Sequence, residues 1–291
     1  MKTLHLVYCP FRGVGLDQRN DEWFKERIEI FKNYTLKSLI NQTNKDFTIW
    51  CSFRPEDEHN YLTQNLFLDI KEQHERVIFT YDGLMYHDDK FGGTLVNKLY
   101  NTARILRRAW RNKELPANPL NLFKDKNKTL SQRLENSLNT LKEKLGTNYE
   151  TVLLTRIDSD DMFHKDALWH IRNVYENTVV KPEAITMSGG YIYNQDTKEL
   201  AEYNPKTNPP FHTLCMAVDV FSFPERHLAF YGNYKSHEDV RREFYSTQIV
   251  ERLYCVTTHS PKNHISTIWN HPFRGRIVSN DILKILKDFG I

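Results

Sequence analysis

The run Thr151-Val-Leu-Leu-Thr-Arg-Ile157 is aliphatic or β-branched apart from Arg156, and it leads straight into Asp158-Ser-Asp-Asp161. A continuous apolar run of this length predicts a strand covered on both faces, as in a parallel sheet, and ligands of open α/β sheets collect at the carboxyl ends of such strands. Three carboxylates within four positions ionise together at low cost only when they share something positive, and hard oxygen donors favour Mg²⁺ or Mn²⁺ over zinc. The segment therefore predicts a divalent-metal or nucleotide site. The structural alternative is that Asp160 or Asp161 caps a helix beginning near His164. Arg156 faces away from Thr155 and Ile157, so it is either half of an internal ion pair or a contact to ligand.

The 291 residues, 40% of them hydrophobic, suffice for one large core or two small ones, and nothing marks a linker. Forty Lys and Arg against 37 Asp and Glu leave a formal charge of +3, too weak to indicate a nucleic-acid footprint. Cys9, Cys51, Cys215 and Cys255 are widely spaced in or beside apolar stretches, which predicts reduced, buried thiols. The apolar part of the N-terminal segment is short and soon meets Pro10, and no later run approaches membrane-spanning length, so the expectation is a soluble, cytoplasmic protein.

Along the chain, Leu4–Cys9 predicts a first strand and is followed by a loop containing Gly13 and Gly15. Then come a helix over about 22–41, a strand over 47–53, a helix near 57–74 and a strand over 76–80, the alternation of a doubly wound sheet. Loops after the first strand of such sheets face the ligand crevice. Pro10, Phe11 and Arg12 are thus donor-binding candidates, with Tyr8 or Phe11 available to stack on a base. A helix over about 93–110 carries Arg104, Arg107, Arg108 and Arg111 on one face, either solvated surface or a contact to an anionic ligand. The Lys- and Asn-rich stretch 112–148 predicts a helical insertion packed outside the sheet. Beyond the acidic cluster lie a helix over 165–176, strands over 184–187, 190–193 and 214–221, a turn at 196–198, a helix over about 237–251, a strand over 253–256 and a helix over 279–289. Gly189 and Gly190 either admit close approach of a donor or form a turn. Glu238 and Asp239 follow Ser236, which suits either helix capping or a general base reaching into a cleft.

This order of signals resembles glycosyltransferases of the GT-A type, most closely the inverting families that contain bacterial rhamnosyltransferases and polysaccharide transferases. The matching pieces are Cys9-Pro-Phe-Arg12, the segment from Trp23 into Phe47-Thr-Ile-Trp50, Arg156-Ile-Asp-Ser-Asp-Asp161, and His259 through Asn263-His-Ile-Ser266. The resemblance implies one α/β, GT-A-like domain over 1–291. Its Rossmann-type nucleotide-sugar half would span about 1–161, with the insertion at 112–148, and an acceptor-side half with a mixed sheet would span about 162–291. It also implies a nucleoside diphosphate sugar donor and a glycan or other hydroxyl acceptor, a modified nucleic-acid base being the unusual case. Asp158 would touch the ribose or sugar, Asp160 would ligate Mn²⁺ or Mg²⁺ with Asp161 as the alternative, and His259 or His264 would complete the shell. Asp239, ahead of Glu238, would be the base. Three other classes compete: a sugar nucleotidyltransferase, which needs a Gly-rich basic loop after the first strand; a phosphohydrolase, which needs an Asp there; and a non-catalytic carbohydrate-binding or assembly protein, which needs no carboxylates at a strand end.

Overall fold

The computed structural model describes residues 2–11, 21–82, 130–231, 237–259 and 269–291. A seven-stranded sheet organises them, in the order β10 (Ser246–Ile249), β6 (Ala184–Met187), β9 (His212–Ala217), β4 (Thr151–Arg156), β1 (Thr3–Pro10), β2 (Thr48–Ser52) and β3 (Val77–Thr80). β1 is parallel to both β2 and β4, β2 to β3, and β6 to β10, whereas β9 runs antiparallel between β4 and β6. The fold is therefore α/β with a mixed central sheet. One reversed strand leaves the carboxyl ends of the other six at a single edge, where Pro10, Ser52, Arg156 and the start of β9 at His212 meet.

Every residue of β1 and β2 is buried, which is why these strands read as unbroken apolar runs. Successive side chains go to opposite faces. Leu4, Leu6, Tyr8, Trp50, Val152 and Leu154 pack with Leu134, Leu138 and Leu141, while Val7, Cys9, Ile49, Cys51 and Leu153 pack with Phe24, Phe31, Leu66 and Leu168. The helix Leu130–Leu145 thus covers one face of the main sheet, a correction to its expected place outside it: its leucines at i, i+4 and i+7 complete a core layer. Emptying a position such as Leu138, fully buried, costs about 2–5 kcal/mol.

A smaller five-stranded sheet runs β12 (Arg274–Ile277), β8 (Leu200–Tyr203), β7 (Gly190–Asn194), β11 (Tyr254–Thr258), β5 (Met162–Phe163). The turn expected at 196–198 joins β7 to β8. The Asn194 side-chain oxygen accepts the Asp196 N–H at 2.9 Å, and Lys198 takes φ of 60°. The helix Ile282–Asp288 closes this sheet, with Leu286 and Phe289 packed against Met162, Tyr193 and Cys255.

Two expectations fail locally. The helix expected over 237–251 is a single 3-10 turn, His237–Asp239, a short helix, Val240–Glu243, and then β10. Ser246-Thr-Gln-Ile249 is an edge strand of small and β-branched residues, entered where the Tyr245 N–H donates to Glu183 Oε2 at 2.9 Å. The strand expected over 214–221 ends at Ala217 and turns into the helix Val218–Ser222. All four cysteines are buried free thiols. No helix among the described residues is long and apolar enough to cross a membrane.

Candidate functional site

β4 delivers Arg156 and Asp158–Asp161 to the shared carboxyl edge, and the acidic turn then runs into β5, which pairs with β11. The turn is therefore held between the two sheets. The helical segment beginning at Asp21 grips it from the side. Ser38 Oγ accepts the Phe163 N–H at 3.1 Å, and the Gln42 side chain donates to the His164 carbonyl at 2.8 Å while accepting the Leu168 N–H at 3.1 Å.

Each carboxylate has a different partner. Asp158, half-buried, accepts two bonds on Oδ1 from Arg156, from Nε at 3.2 Å and Nη2 at 2.9 Å. Of the two readings for Arg156, the structure shows the ion pair. Burial alone would raise the Asp158 carboxyl, but the Arg156 guanidinium, helped by His237 and Arg27, holds it below the usual carboxylate range. Asp160 is buried in a two-pronged pair with Arg27, Nη1 to Oδ2 at 3.0 Å and Nη2 to Oδ1 at 2.9 Å, and Arg27 Nε also donates to Ser159 Oγ at 2.9 Å. Asp161 accepts the Thr257 N–H at 3.1 Å. Burial first, then the neighbouring charges of Asp160 and Asp158, push its pKa well above the usual carboxylate range, so it favours the neutral form.

Thr257, on β11, ties these groups to His259. Its hydroxyl donates to the Asp160 carbonyl and lies against His259 Nε2, while His259 Nδ1 meets the Gln195 side chain. Burial lowers the pKa of His259 and nearby Asp160 opposes the shift. His259 thus lies close to Asp160, with both ring nitrogens engaged. His264 and Arg12 lie outside the described residues, as do Gly13, Gly15 and the basic face at 104–111.

Carboxylate oxygens are the donors Mg²⁺ and Mn²⁺ take, so Asp158, Asp160 and Asp161 fit such an ion in kind, with the His259 imidazole the softer member of the set. Among the described residues no three Asp, Glu, His or Cys are arranged to hold one by themselves. A cation here would take most of its shell from substrate phosphates and water, the usual arrangement for Mg²⁺ in phosphate sites.

On the opposite side, His237 lies within electrostatic reach of Arg156, Asp158 and Asp239, and burial, with Arg156, brings its pKa down to about 4. His212, at the start of β9, is likewise held neutral by burial and Arg156. Asp239 is half-buried and bonded to Arg242 Nη2 at 2.7 Å, whereas Glu238 is exposed. Of these two carboxylates, Asp239 is the half-buried one, and His237 lies within electrostatic reach of both it and Asp158.

Three donor candidates are corrected. The Phe11 ring, 1% exposed, is stacked on Phe53 at 4.6 Å and edge-on to Phe31 at 4.7 Å, so it belongs to the core and is closed to a base. Tyr8 is spent in the same way on Trp50 at 4.7 Å. Pro10 ends β1 at the carboxyl-end edge of the sheet, paired in register with Ser52. Gly190 serves internal packing: a Cβ there would come within 2.4 Å of the Tyr254 carbonyl oxygen, whereas one on Gly189 would first meet the end of the Arg252 side chain, at 3.0 Å.

Arg27, Thr257 and Gln195 were not singled out from sequence, whereas His237, beside Glu238 and Asp239, could be read either as an assistant to the base or as solvated surface. Arg27 left a signal: it falls three residues after Phe24 and four before Phe31, on the buried stripe of its helix. A charge on that stripe needs an anion.

A family model described as "Putative rhamnosyl transferase" matches residues 18–81, less than a quarter of the chain but including Arg27 and the segment that grips the acidic turn. No curated protein sequence matches. Among solved structures, residues 1–349 of S. aureus TarS superpose with a TM-score of 0.41 and 12% identity over 87% of this chain, which spans 60% of that one. Francisella tularensis 2-C-methyl-D-erythritol 4-phosphate cytidylyltransferase superposes with a TM-score of 0.34 and 10% identity over 98% of this chain and 99% of that one. The chain is thus similar to the putative rhamnosyl transferase family over residues 18–81, and that segment lies against the carboxylates at the end of β4.

Proposed function

We propose that the protein transfers a sugar from a nucleoside diphosphate donor to a hydroxyl of a glycan acceptor, with inversion and with Mn²⁺ or Mg²⁺ at Asp160. The observation that carries this reading is the convergence of Asp160 and Asp161, after the end of β4, with His259, after the end of β11, around Thr257. The family description puts rhamnose first among the donor sugars to test.

Asp158, kept ionised by Arg156, accepts hydrogen bonds from sugar or ribose hydroxyls, a role that its half-exposed position allows. Asp160, with His259 alongside, would hold the divalent cation, whose positive charge would offset that of the leaving diphosphate. Asp239 takes the proton of the acceptor hydroxyl as that oxygen bonds to the anomeric carbon, and the bond to the diphosphate oxygen breaks on the far side. Neutral His237 lies near both Asp158 and Asp239 and spares the cleft a charge that would hold the base away from the proton.

The test is calorimetric binding of UDP, GDP and dTDP with and without Mn²⁺, followed by diphosphate release from the matching sugar nucleotides. Asp160→Ala should abolish cation-dependent nucleotide binding while leaving the melting transition cooperative. Unchanged nucleotide affinity in that variant would refute the assignment of Asp160.

A further inference from the structure

We infer that Arg27 occupies the cation position on Asp160 in the donor-free protein, so that metal binds only when the donor's diphosphate draws this arginine away. The inference rests on the metal reading of Asp160 and adds to it an order of events. Arg27 projects from a helix fixed by buried Trp23, Phe24 and Ile28. Three of its donors converge on two residues: Nε on Ser159 Oγ at 2.9 Å, and Nη1 and Nη2 on the two Asp160 oxygens at 3.0 and 2.9 Å. The side chains are only 13% and 10% exposed.

A forked guanidinium matched to both oxygens of a largely dry carboxylate is among the strongest pairings a protein makes. Breaking it without a replacement leaves a buried charge alone, which is strongly unfavourable. A hydrated cation arriving by itself compensates Asp160 but strands Arg27. A diphosphate arriving with the cation compensates both, because its oxygens bind the freed guanidinium as readily as they bind metal. Arg27 then faces the group whose negative charge grows as the sugar leaves. Cation and donor should therefore bind with strong mutual dependence, each weak without the other.

The test measures Mn²⁺ binding to the full chain without nucleotide, by the loss of the free-ion electron paramagnetic signal, and follows melting with and without Mn²⁺. In Arg27→Gln the competitor is gone, so Mn²⁺ affinity should rise about tenfold or more, by release of the competent state. Melting of this variant should fall below wild type in the absence of cation and recover when Mn²⁺ is added, a response a purely structural ion pair would not give. Ser159→Ala removes only the Nε anchor and should raise Mn²⁺ affinity in the same direction by less, which keeps the test open should Arg27→Gln not fold. Mn²⁺ affinity unchanged in both variants, with donor-dependent Mn²⁺ binding intact and lost in Asp160→Asn, overturns the role of Arg27 and leaves the metal site standing. Absence of Mn²⁺ binding in wild type and in both variants, with or without UDP, GDP or dTDP, overturns the metal site and this inference together.

Discussion

Replacing Gly190 with alanine decides whether the glycine pair serves the donor or the fold. The added Cβ would lie 2.4 Å from the Tyr254 carbonyl oxygen and 2.5 and 2.6 Å from two of its ring carbons, all well inside contact distance. Neither obstacle yields easily. The carbonyl is part of β11, whose parallel pairing with β7 starts at the adjacent position, Cys255 with Tyr191, and the ring is stacked on Phe211 at 4.3 Å. Overpacking of this kind costs about 1–3 kcal/mol, and the involvement of backbone puts this case at the upper end, about 3 kcal/mol. At about 2–4 °C per kcal/mol for a chain somewhat shorter than this one, melting should drop by roughly 5–10 °C. Gly189→Ala is the control. Its nearest obstacle is the end of the Arg252 side chain at 3.0 Å, which can swing aside, so its melting should stay within about 2 °C of wild type. Thermal denaturation followed by circular dichroism gives both numbers, and nucleotide calorimetry well below the transition gives donor affinity. If Gly190→Ala melts with wild type but loses nucleotide affinity, the steric argument is wrong and the glycine is there for the ligand.

Asp239→Asn should lower turnover about 100-fold or more with donor affinity nearly unchanged, while Glu238→Gln, at an exposed position, stays close to wild type; the reverse pattern would move the base to Glu238. In Arg156→Met, Asp158 loses the charge that depresses its pKa. Such a depressed carboxylate stabilises the fold above its unfolded pKa and loses that contribution as pH falls through the folded value. The melting difference from wild type should therefore be largest near neutrality and shrink below about pH 4, and a difference independent of pH would refute the pairing as its cause. His5, hydrogen-bonded to Thr155 Oγ1 at 2.7 Å, is held neutral mainly by burial, its pKa brought down to about 3. Its contribution is complete above the unfolded pKa of about 6.5 and is lost as pH falls toward 3, so the stability of His5→Gln should decline less steeply with acid across that window.

The N-terminal half of the sheet was legible because two-sided burial writes itself as largely apolar runs, and β1, β2, β3 and β4 all carry that mark. The C-terminal half was less so. β10 is an edge strand with one buried residue, and Val240-Arg-Arg-Glu243 before it has the charge of a helix, so the helical reading ran on too far. At the site, the clustering of Asp158, Asp160 and Asp161 was plain, but their inequality was not. That depends on which neighbour each meets, and Arg27 and Thr257 come from 133 and 97 positions away. Phe11 misled because an aromatic residue after a first strand looks the same whether its partners are a base or Phe31 and Phe53.

The six residues Phe31–Leu36 form a π-helical turn between the α-helical stretches Asp21–Ile30 and Lys37–Ile40. At a uniform pitch of about 100° per residue, Arg27 and Ser38 would fall on nearly the same line along the helix. The wider turn rotates the second stretch backwards by as much as a quarter of a revolution, so one rod meets the curving loop along two lines, at Ser159 and Asp160 and again at Phe163 and His164. The segment thus works as a phase adjuster, and its length matters more than its composition. Substitutions on its outer face leave the phase alone, whereas loss of one residue restores the common pitch and turns either Arg27 or Ser38 away from the loop it holds.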